Sequence, residues 1–299
     1  MSQASNGASW ARSLLRRYRI EDGTGFRLKD HDPTHLLERM GHADADQILA
    51  DGVARLAELQ TSLYAQNQWS LLLILQGMDS AGKDSTIKHV MSGVNPQGVH
   101  VTSFKQPGPD ELAHDFLWRV HRAVPARGQI GIFNRSHYEE VLICRVHPEV
   151  LKHQGLPDEV TRHKFWRHRL EDIAAFERYL AHQGVIILKV FLNLSKEEQK
   201  RRFLSRLDTP RKHWKFSAHD LAERDYWDDY QNVYERAIAA TAAPHAPWYV
   251  VPADHKPLAH VIVIEALIRA LERLDLHIPE LPPEEKQLLA KARHELENE

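Results

Sequence analysis

The stretch LLLILQGMDSAGKDST, residues 71–86, joins an apolar run to a glycine-rich loop and then to a segment that favours helix. Gly77, Gly82 and Lys83 match the pattern G-x-x-x-x-G-K of a phosphate-binding loop. In such a loop successive backbone N–H groups point at one anion, and the following helix adds the positive end of its dipole. The sequence therefore predicts a buried strand, a phosphate loop (residues 77–83) and a helix, in that order.

The acidic residues of the loop depart from the usual pattern. A Ser or Thr that holds Mg²⁺ normally follows the lysine, whereas here Asp84 follows Lys83 and Ser85 comes one position later. Asp79 places another carboxylate inside the loop. Carboxylates repel phosphate but bind magnesium well. We therefore expect Asp79 to bind Mg²⁺, with Asn134 or Asp84 as a second ligand, and we leave open that Asp84 caps the helix instead.

Composition and charge narrow the class of protein. The formal net charge of the 299 residues is −2, which argues against a general polyanion binder. The longest apolar runs are too short to span a bilayer and are typical of buried strands. A single cysteine, Cys144, fits a reducing compartment. We expect a cytoplasmic protein without a membrane or nucleic-acid partner.

Alternation of apolar runs and amphipathic stretches predicts an α/β fold with a parallel sheet flanked by helices. Strands are expected at 70–76, 99–104, 129–133, 185–192 and 248–252. Helices are expected at 45–68, 84–93, 110–124, 158–183, 195–207, 217–241 and 257–274. The predicted divisions are an N-terminal extension (1–44), a phosphate-loop domain (45–275) and a C-terminal helical tail (276–299).

The segment GQIGIFNRSHYEEVL, residues 128–142, predicts a strand that ends beside the phosphate loop. In many phosphate-loop proteins this strand ends in an Asp that orders magnesium, whereas Asn134 and Arg135 stand here. The planar guanidinium of Arg135 matches phosphate oxygens, so we expect it to hold a transferring phosphoryl group. A surface ion pair of Arg135 with Glu139 or Glu140 is the alternative.

The basic run KRRFLSRLDTPRKHWK, residues 200–215, carries seven Lys and Arg residues against the single acid Asp208. A solvated helix normally intersperses acids among its cations, and Pro210 interrupts this run. A lid over phosphates must be cationic and mobile, so the run predicts a lid at about 200–230. Six of its cations are expected to bind a phosphate chain under such a lid: Arg201, Arg202, Arg206, Arg211, Lys212 and Lys215.

Four segments together resemble the polyphosphate kinase family 2, in the same order, over about residues 30–275. They are GMDSAGKDSTIKHV, GVNPQGVHVTSFKQP, IGIFNRSHYEEVL and RKHWKFSAHDLAERDYWDDY. The resemblance implies a P-loop kinase fold of the thymidylate-kinase type with a helical lid, and a homo-oligomer. It also implies Mg²⁺ as cofactor, with Mn²⁺ as a possible substitute, and the catalytic residues Asp79, Lys83 and Arg135.

The reaction that the resemblance implies is reversible phosphoryl transfer between inorganic polyphosphate and AMP, ADP or ATP, with guanine nucleotides as further candidates. Asn134 followed by SHYE looks like the class III subgroup, which accepts AMP as well as ADP. The loop and the strand ends supply the other expected phosphate- and nucleotide-binding residues: Gly77, Met78, Ser80, Ala81, Gly82, Asp84, Ser85, Lys105, Asn134 and Glu139.

Two functions of other classes use the same loop. An ATP-dependent nucleotide or small-molecule kinase would contain it, but would not need so basic a lid. A non-catalytic polyanion-binding protein would explain the basic run, but would leave Asp79 and Arg135 without a role. Turnover of AMP or ADP with polyphosphate as the phosphoryl donor separates these alternatives.

Overall fold

The computed structural model describes residues 13–36 and 42–299, and these contain a six-stranded sheet. The strands are β1 (Arg19–Ile20), β2 (Ser70–Gln76), β3 (Val99–Ser103), β4 (Ile130–Asn134), β5 (Val185–Asn193) and β6 (Trp248–Pro252). Their order is β1-β6-β5-β2-β4-β3. Strands β2 to β6 run parallel, and β1 pairs antiparallel with β6 at the edge. The predicted α/β sheet is confirmed.

The longer helices are α1 (His42–Gln66), α2 (Lys83–Val90), α3 (Phe165–His182), α4 (Lys196–Leu207), α5 (Trp227–Thr241), α6 (Lys256–Leu271) and α7 (Pro283–Glu297). Short helices span Pro109–Leu112, Trp118–Arg122, Ile143–Val146, Pro148–Lys152, Asp158–Thr161 and Ala218–Ala222. Short 3₁₀ helices span Leu28–Asp30, Pro96–Gly98, His137–Glu140, Pro210–Lys215 and Glu223–Tyr226. Within 13–36 and 42–299 no helix combines the length and the apolar character that crossing a membrane requires.

Helices cover both faces of the sheet. Successive side chains of a strand point to opposite faces. Leu71, Leu73 and Leu75 of β2 therefore pack with α1 and α6, whereas Leu72 and Ile74 pack with α3 and α5. Because both faces are covered, β2 reads in the sequence as a continuous apolar run. The carboxyl end of this central strand leads directly into the phosphate loop.

Part of the predicted N-terminal extension (1–44) packs on the core and adds a strand to the sheet. Leu14, Leu15 and Tyr18 are buried in the core beside α6, and β1 extends the sheet. Residues 1–12 and 37–41 of that extension lie outside the described residues. The division at residue 44 stays a prediction, but the described part of the extension packs on the domain.

Three predicted helices are interrupted. The stretch 158–183 is divided near Lys164, whose φ of 64° is left-handed, and α3 begins after it. The stretches 110–124 and 217–241 each contain separate short elements. Amphipathic periodicity survives such breaks, because a single residue or a 3₁₀ turn interrupts the hydrogen bonds without removing the apolar face.

Candidate active site

The phosphate loop has the tight backbone that its glycines predict. Gly77 and Gly82 have φ of 155° and 112°, values that favour glycine. A Cβ at Gly77 would lie 3.0 Å from the carbonyl oxygen of Leu192. Gly82 is the N-cap residue of α2, and having no side chain it leaves the first turn open. The predicted strand, loop and helix therefore stand in the expected order, with the helix N-terminus at the loop.

Lys83 folds back over this loop. Its Nζ donates to the carbonyl oxygens of Gly77 at 2.7 Å and Met78 at 3.4 Å. Burial, and after it the charge of Arg135, lowers the pKa of the ammonium to about 8, although Asp79 opposes the change. An approaching phosphate would favour the charged form. Lys83 is therefore held where its ammonium group would contact an anion bound in the loop.

Arg135 stands at the end of β4 in a left-handed conformation, with φ of 63°. Its Nη2 donates to Asp79 Oδ1 at 2.6 Å, and its Nη1 donates to Glu139 Oε2 at 3.1 Å. The carboxylates of Glu139 and then Asp79 raise the pKa of the guanidinium. A non-glycine residue in this conformation costs of order 1–3 kcal/mol, so the surrounding structure must hold it there. Arg135 therefore forms an ion pair with Glu139, which the sequence analysis named as the alternative to phosphate binding. Its side chain also lines the cavity described below.

The acids of the loop have different partners. Asp79 is held by Arg135, whereas Asp84 Oδ1 accepts from Asn134 Nδ2 at 2.9 Å. Among the described residues no group of three or more His, Cys, Asp or Glu side chains is arranged as a metal site. Mg²⁺ is commonly bound by one or two carboxylates together with substrate phosphates. The oxygen ligands of Asp79, Asp84 and Asn134 fit such a site.

A cavity of about 1060 Å³ opens beyond the loop. Its walls come from the phosphate loop, the end of β4, residues 103–107, the region 139–154 and the basic run. Ligand pockets commonly measure about 300–1,000 Å³, so this cavity could hold a large ligand or two smaller ones. The predicted residues that line it are Gly77, Met78, Asp79, Ser80, Gly82, Lys83, Asp84, Ser85, Lys105, Asn134, Arg135, Glu139, Arg201, Arg202, Arg206 and Lys212.

One wall of the cavity is a buried polar cluster that the sequence analysis missed. Glu140 accepts from Arg169 at 3.0 Å and from Gln154 at 2.5 Å, and Arg119 lies 3.7 Å from its other oxygen. Arg119 also donates to the backbone carbonyl of Lys105 at 2.8 Å, next to the exposed Lys105 side chain. Apart from Arg169 on α3, these residues lie on short helices and turns, where no periodic pattern marks an inward face.

Tyr230 and Tyr234 of α5 also line the cavity and were not predicted. Burial raises the pKa of the Tyr234 hydroxyl, as does the charge of Glu139, and the backbone of Gly77 opposes the rise. A usable signal exists, because Tyr226, Tyr230 and Tyr234 recur at a spacing of four, which places them on one side of a helix.

The basic run divides into exposed and buried cations. The Arg201 side chain is 72% exposed and pairs with Glu198, while Arg206 lies 3.6 Å from Asp220. Lys212 lines the cavity, but Arg211 is exposed outside it. The side chain of Lys215 lies outside the described part of the structure.

Arg202 differs from its predicted position in an exposed lid. Its side chain is buried, and its Nη1 donates to the carbonyl oxygens of Ser80 and Ala81, both at 2.9 Å. Nη2 donates to the Ala253 carbonyl at 2.5 Å, and Nε donates to Glu198 at 2.7 Å. Because these protein groups use all three nitrogens, Arg202 holds the loop rather than standing open to a phosphate chain. Ala81 likewise turns its side chain into the core.

Comparisons with known proteins identify one family to which this chain is similar. A family model described as Polyphosphate kinase 2 (PPK2) matches residues 39–278. The ADP-polyphosphate phosphotransferase of Rhodopseudomonas palustris is 49% identical over 251 residues, 84% of this chain and 87% of that protein. The AMP/ADP-polyphosphate phosphotransferase of Meiothermus ruber is 45% identical over 268 residues, 89% of this chain and 96% of that protein.

A solved structure is also similar. The crystal structure of Polyphosphate Kinase 2 from Arthrobacter aurescens TC1 has a TM-score of 0.82 and 44% sequence identity, and the match covers 91% of this chain and 95% of that one. The family match at residues 39–278 includes strands β2 to β6, the phosphate loop and the basic run.

Proposed function

The chain belongs to the polyphosphate kinase 2 family, and we propose that it transfers phosphoryl groups reversibly between inorganic polyphosphate and both AMP and ADP. Relatives carry the names ADP-polyphosphate and AMP/ADP-polyphosphate phosphotransferase. The observation that carries the proposal is the cationic pair Lys83 and Arg135, fixed at one end of a cavity whose wall includes the basic run. The class III-like FNRSHYE segment supports AMP as an acceptor.

The reaction needs little covalent chemistry from the protein. A terminal phosphate oxygen of the nucleotide forms a bond to the end phosphorus of polyphosphate, while the bridging P–O bond breaks. The shortened polyphosphate leaves with that electron pair as an oxyanion. Phosphate monoesters lose their second proton near pH 6, so the attacking oxygen is already ionised at neutral pH. Catalysis then consists of positioning two polyanions and balancing their charge.

Arg135 and Lys83 supply that charge balance. Asp79 and Glu139 hold the Arg135 guanidinium before substrate arrives, so no reorganisation is needed as charge moves between phosphates. The phosphate loop binds one anion through its N–H groups, and the Lys83 ammonium lies over the same loop. Asp79 therefore acts on the reaction in part through the position of Arg135.

We propose Mg²⁺ as the cofactor, with Mn²⁺ able to replace it, bound by Asp84 and Asp79 with Asn134 beside them. When bound, the ion screens the two substrates from each other and polarises phosphate oxygens. Asn134 holds the Asp84 carboxylate on the cavity wall, where phosphate oxygens can complete the coordination.

Three further features belong to the same proposal. The segment at about 200–230 closes over the cavity as a lid, because its cations line the cavity wall and its short elements lie at the surface. The protein acts as a homo-oligomer in the cytoplasm. Guanine nucleotides are a second acceptor class, since a relative from Pseudomonas aeruginosa at 30% identity is named GDP-polyphosphate phosphotransferase.

The test is incubation of the purified protein with polyphosphate, Mg²⁺ and either AMP, ADP or GDP, with products separated by chromatography. We expect ADP and ATP from AMP, and ATP from ADP. Lys83→Met protein, purified in the same way, controls for contaminating kinases. Conversion of ADP without AMP would contradict the proposed acceptor range. Turnover with ATP as the sole effective donor would favour the ATP-dependent alternative.

A further inference from the structure

Every carbonyl oxygen of the loop from Gly77 to Gly82 accepts a hydrogen bond. Lys83 Nζ serves Gly77 and Met78, and the Thr86 N–H and hydroxyl serve Gly82. The three carbonyls between them receive side chains from α4. Gln199 Nε2 donates to Asp79 O at 2.9 Å, and Arg202 Nη1 donates to Ser80 O and Ala81 O, both at 2.9 Å.

These contacts fix the direction of three peptide groups. In a planar trans peptide the C=O and the N–H point in opposite directions. With the carbonyls of Asp79, Ser80 and Ala81 turned to α4, the N–H groups of Ser80, Ala81 and Gly82 point away from it. The Ala81 N–H donates to the Met78 carbonyl at 3.0 Å, which leaves those of Ser80 and Gly82 for an anion. A reversed peptide would present an oxygen lone pair to an anion instead of a donor. The donors on α4 therefore determine whether the loop attracts or repels phosphate.

Gln199 and Arg202 suit this task by their place on the helix. They are three residues apart, so they lie on the same side of α4. Gln199 is 1% exposed and Arg202 is 7% exposed, so both are held in the protein rather than in solvent. Arg224, beyond the basic run, donates through Nη1 to Gln199 Oε1 at 2.7 Å and to the Lys196 carbonyl at 3.2 Å.

We propose that Gln199 and Arg202 are positioning residues that set the peptide directions of the phosphate loop, and that Arg224 links this setting to the lid segment. The proposal rests on the proposed function, since it concerns the same site. The helix α4 then carries both the side chains that donate to the loop carbonyls and the first cations of the basic run. The helix thereby fixes the position of a phosphate chain bound by the basic run relative to an anion bound by the loop.

The test compares Gln199→Glu and Arg202→Lys with Lys200→Gln. Gln199→Glu keeps the size of the side chain and its acceptor for Arg224, but replaces the donor that faces Asp79 O. Arg202→Lys keeps the charge but loses the fork that serves Ser80 O and Ala81 O together. Lys200 is exposed, does not line the cavity and is not among the six cations expected to bind the phosphate chain, so Lys200→Gln controls for the loss of one charge on α4.

We expect Gln199→Glu and Arg202→Lys each to lower kcat roughly 10- to 100-fold with both AMP and ADP, because misplaced binding groups cost about this much. Lys200→Gln should retain the normal rate. Arg202→Ala should recover part of its kcat when methylguanidinium is added, since the free cation can occupy the vacated site. Arg224→Gln should lower kcat less than Gln199→Glu, because it leaves the contact with Asp79 O in place.

A binding measurement separates this inference from the proposed function. Calorimetric titration with tripolyphosphate should show weaker binding to Gln199→Glu than to the wild type and to Lys200→Gln, even if no nucleotide is phosphorylated. Thermal unfolding of each variant identifies those that fail to fold. An Arg202→Lys protein with normal kcat and a raised Michaelis constant for polyphosphate alone would overturn the inference, because Arg202 would then be a ligand. Equal loss in Lys200→Gln would also overturn it.

Discussion

Two regions of the molecule present positive charge to the same cavity, and they hold it in opposite ways. At the phosphate loop, Lys83, Arg135 and Arg202 are each fixed by backbone carbonyls or carboxylates. In the basic run, Arg201 also lines the cavity, but its side chain is 72% exposed, so its ion pair with Glu198 lies in solvent. A fixed cation needs no reorganisation during reaction, whereas an exposed cation is screened over about 8 Å at physiological ionic strength. The loop is therefore suited to chemistry, and the run to capture.

The largest expected effect comes from the loop side of this comparison. Asp79→Asn keeps the size of the side chain and its preference for turns, but removes the charge that holds Arg135 at 2.6 Å. We expect kcat to fall roughly 10²–10³-fold, or about 3–4 kcal/mol, as for the loss of a major electrostatic group. Steady-state kinetics with saturating polyphosphate and ADP measures the change.

Lys83→Met is the companion variant for that prediction. Both side chains belong to one constellation, so the double variant should lose less than the product of the two single losses. Circular dichroism checks that each protein is folded. A folded Asp79→Asn protein that keeps more than about a tenth of the normal rate would exclude a major catalytic role for this carboxylate.

A smaller effect is expected behind the loop, where His260 of α6 stacks on His89 of α2 at 4.6 Å. Burial lowers the pKa of His260 to about 4, and the charges of His89, Lys256 and Arg202 contribute in the same direction. The unfolded chain then binds the proton more tightly than the folded chain. The contribution of His260 to the free energy of unfolding is therefore fully present above about pH 6.5. It is lost as the pH falls toward 4, and the loss is at most about 3 kcal/mol.

His260→Gln tests this acid sensitivity, because it removes the titrating group and keeps a polar side chain near Ser85. Urea unfolding at about pH 7 and about pH 4.5 should show a smaller loss of unfolding free energy in the variant than in the wild type. An equal loss in both proteins would assign the acid sensitivity to other groups.

The smallest effect per residue is expected in the basic run. Replacing Arg206, Arg211 and Lys212 together by Gln should raise the Michaelis constant for polyphosphate roughly tenfold, at about 0.5 kcal/mol for each cation. kcat and the Michaelis constant for the nucleotide should stay close to normal. A shift in the nucleotide constant alone would assign the run to the other substrate and remove the contrast between capture and chemistry.

The sheet and the phosphate loop could be predicted from the sequence because each depends on a local pattern. The run 71–75 is apolar at every position because both faces of β2 are covered. Gly77, Gly82 and Lys83 lie close together in the chain, so their spacing can be read directly from the sequence. The edge strand β1 could not be predicted. It has two residues, and its pairing with Trp248 and Tyr249 arises only when the chain has folded.

Arg202 shows which signal the sequence analysis left unused. Arg201 and Arg202 are neighbours in one basic run, so charge alone cannot separate them. Helical spacing can, because Gln199, Arg202 and Phe203 share the buried side of α4, while Arg201 lies on another side. The partners of Arg202 could still not be predicted, since the loop carbonyls that it serves lie about 120 residues earlier in the chain.

The measurement that tests the division between capture and chemistry most directly is the salt dependence of wild-type kinetics with polyphosphate of defined length. Sodium chloride is raised at constant free Mg²⁺, and kcat and the Michaelis constant for polyphosphate are determined at each concentration. We predict that the Michaelis constant rises steeply while kcat changes little, because exposed cations are screened and the fixed pair at the loop is not. A fall in kcat with an unchanged Michaelis constant would contradict the account.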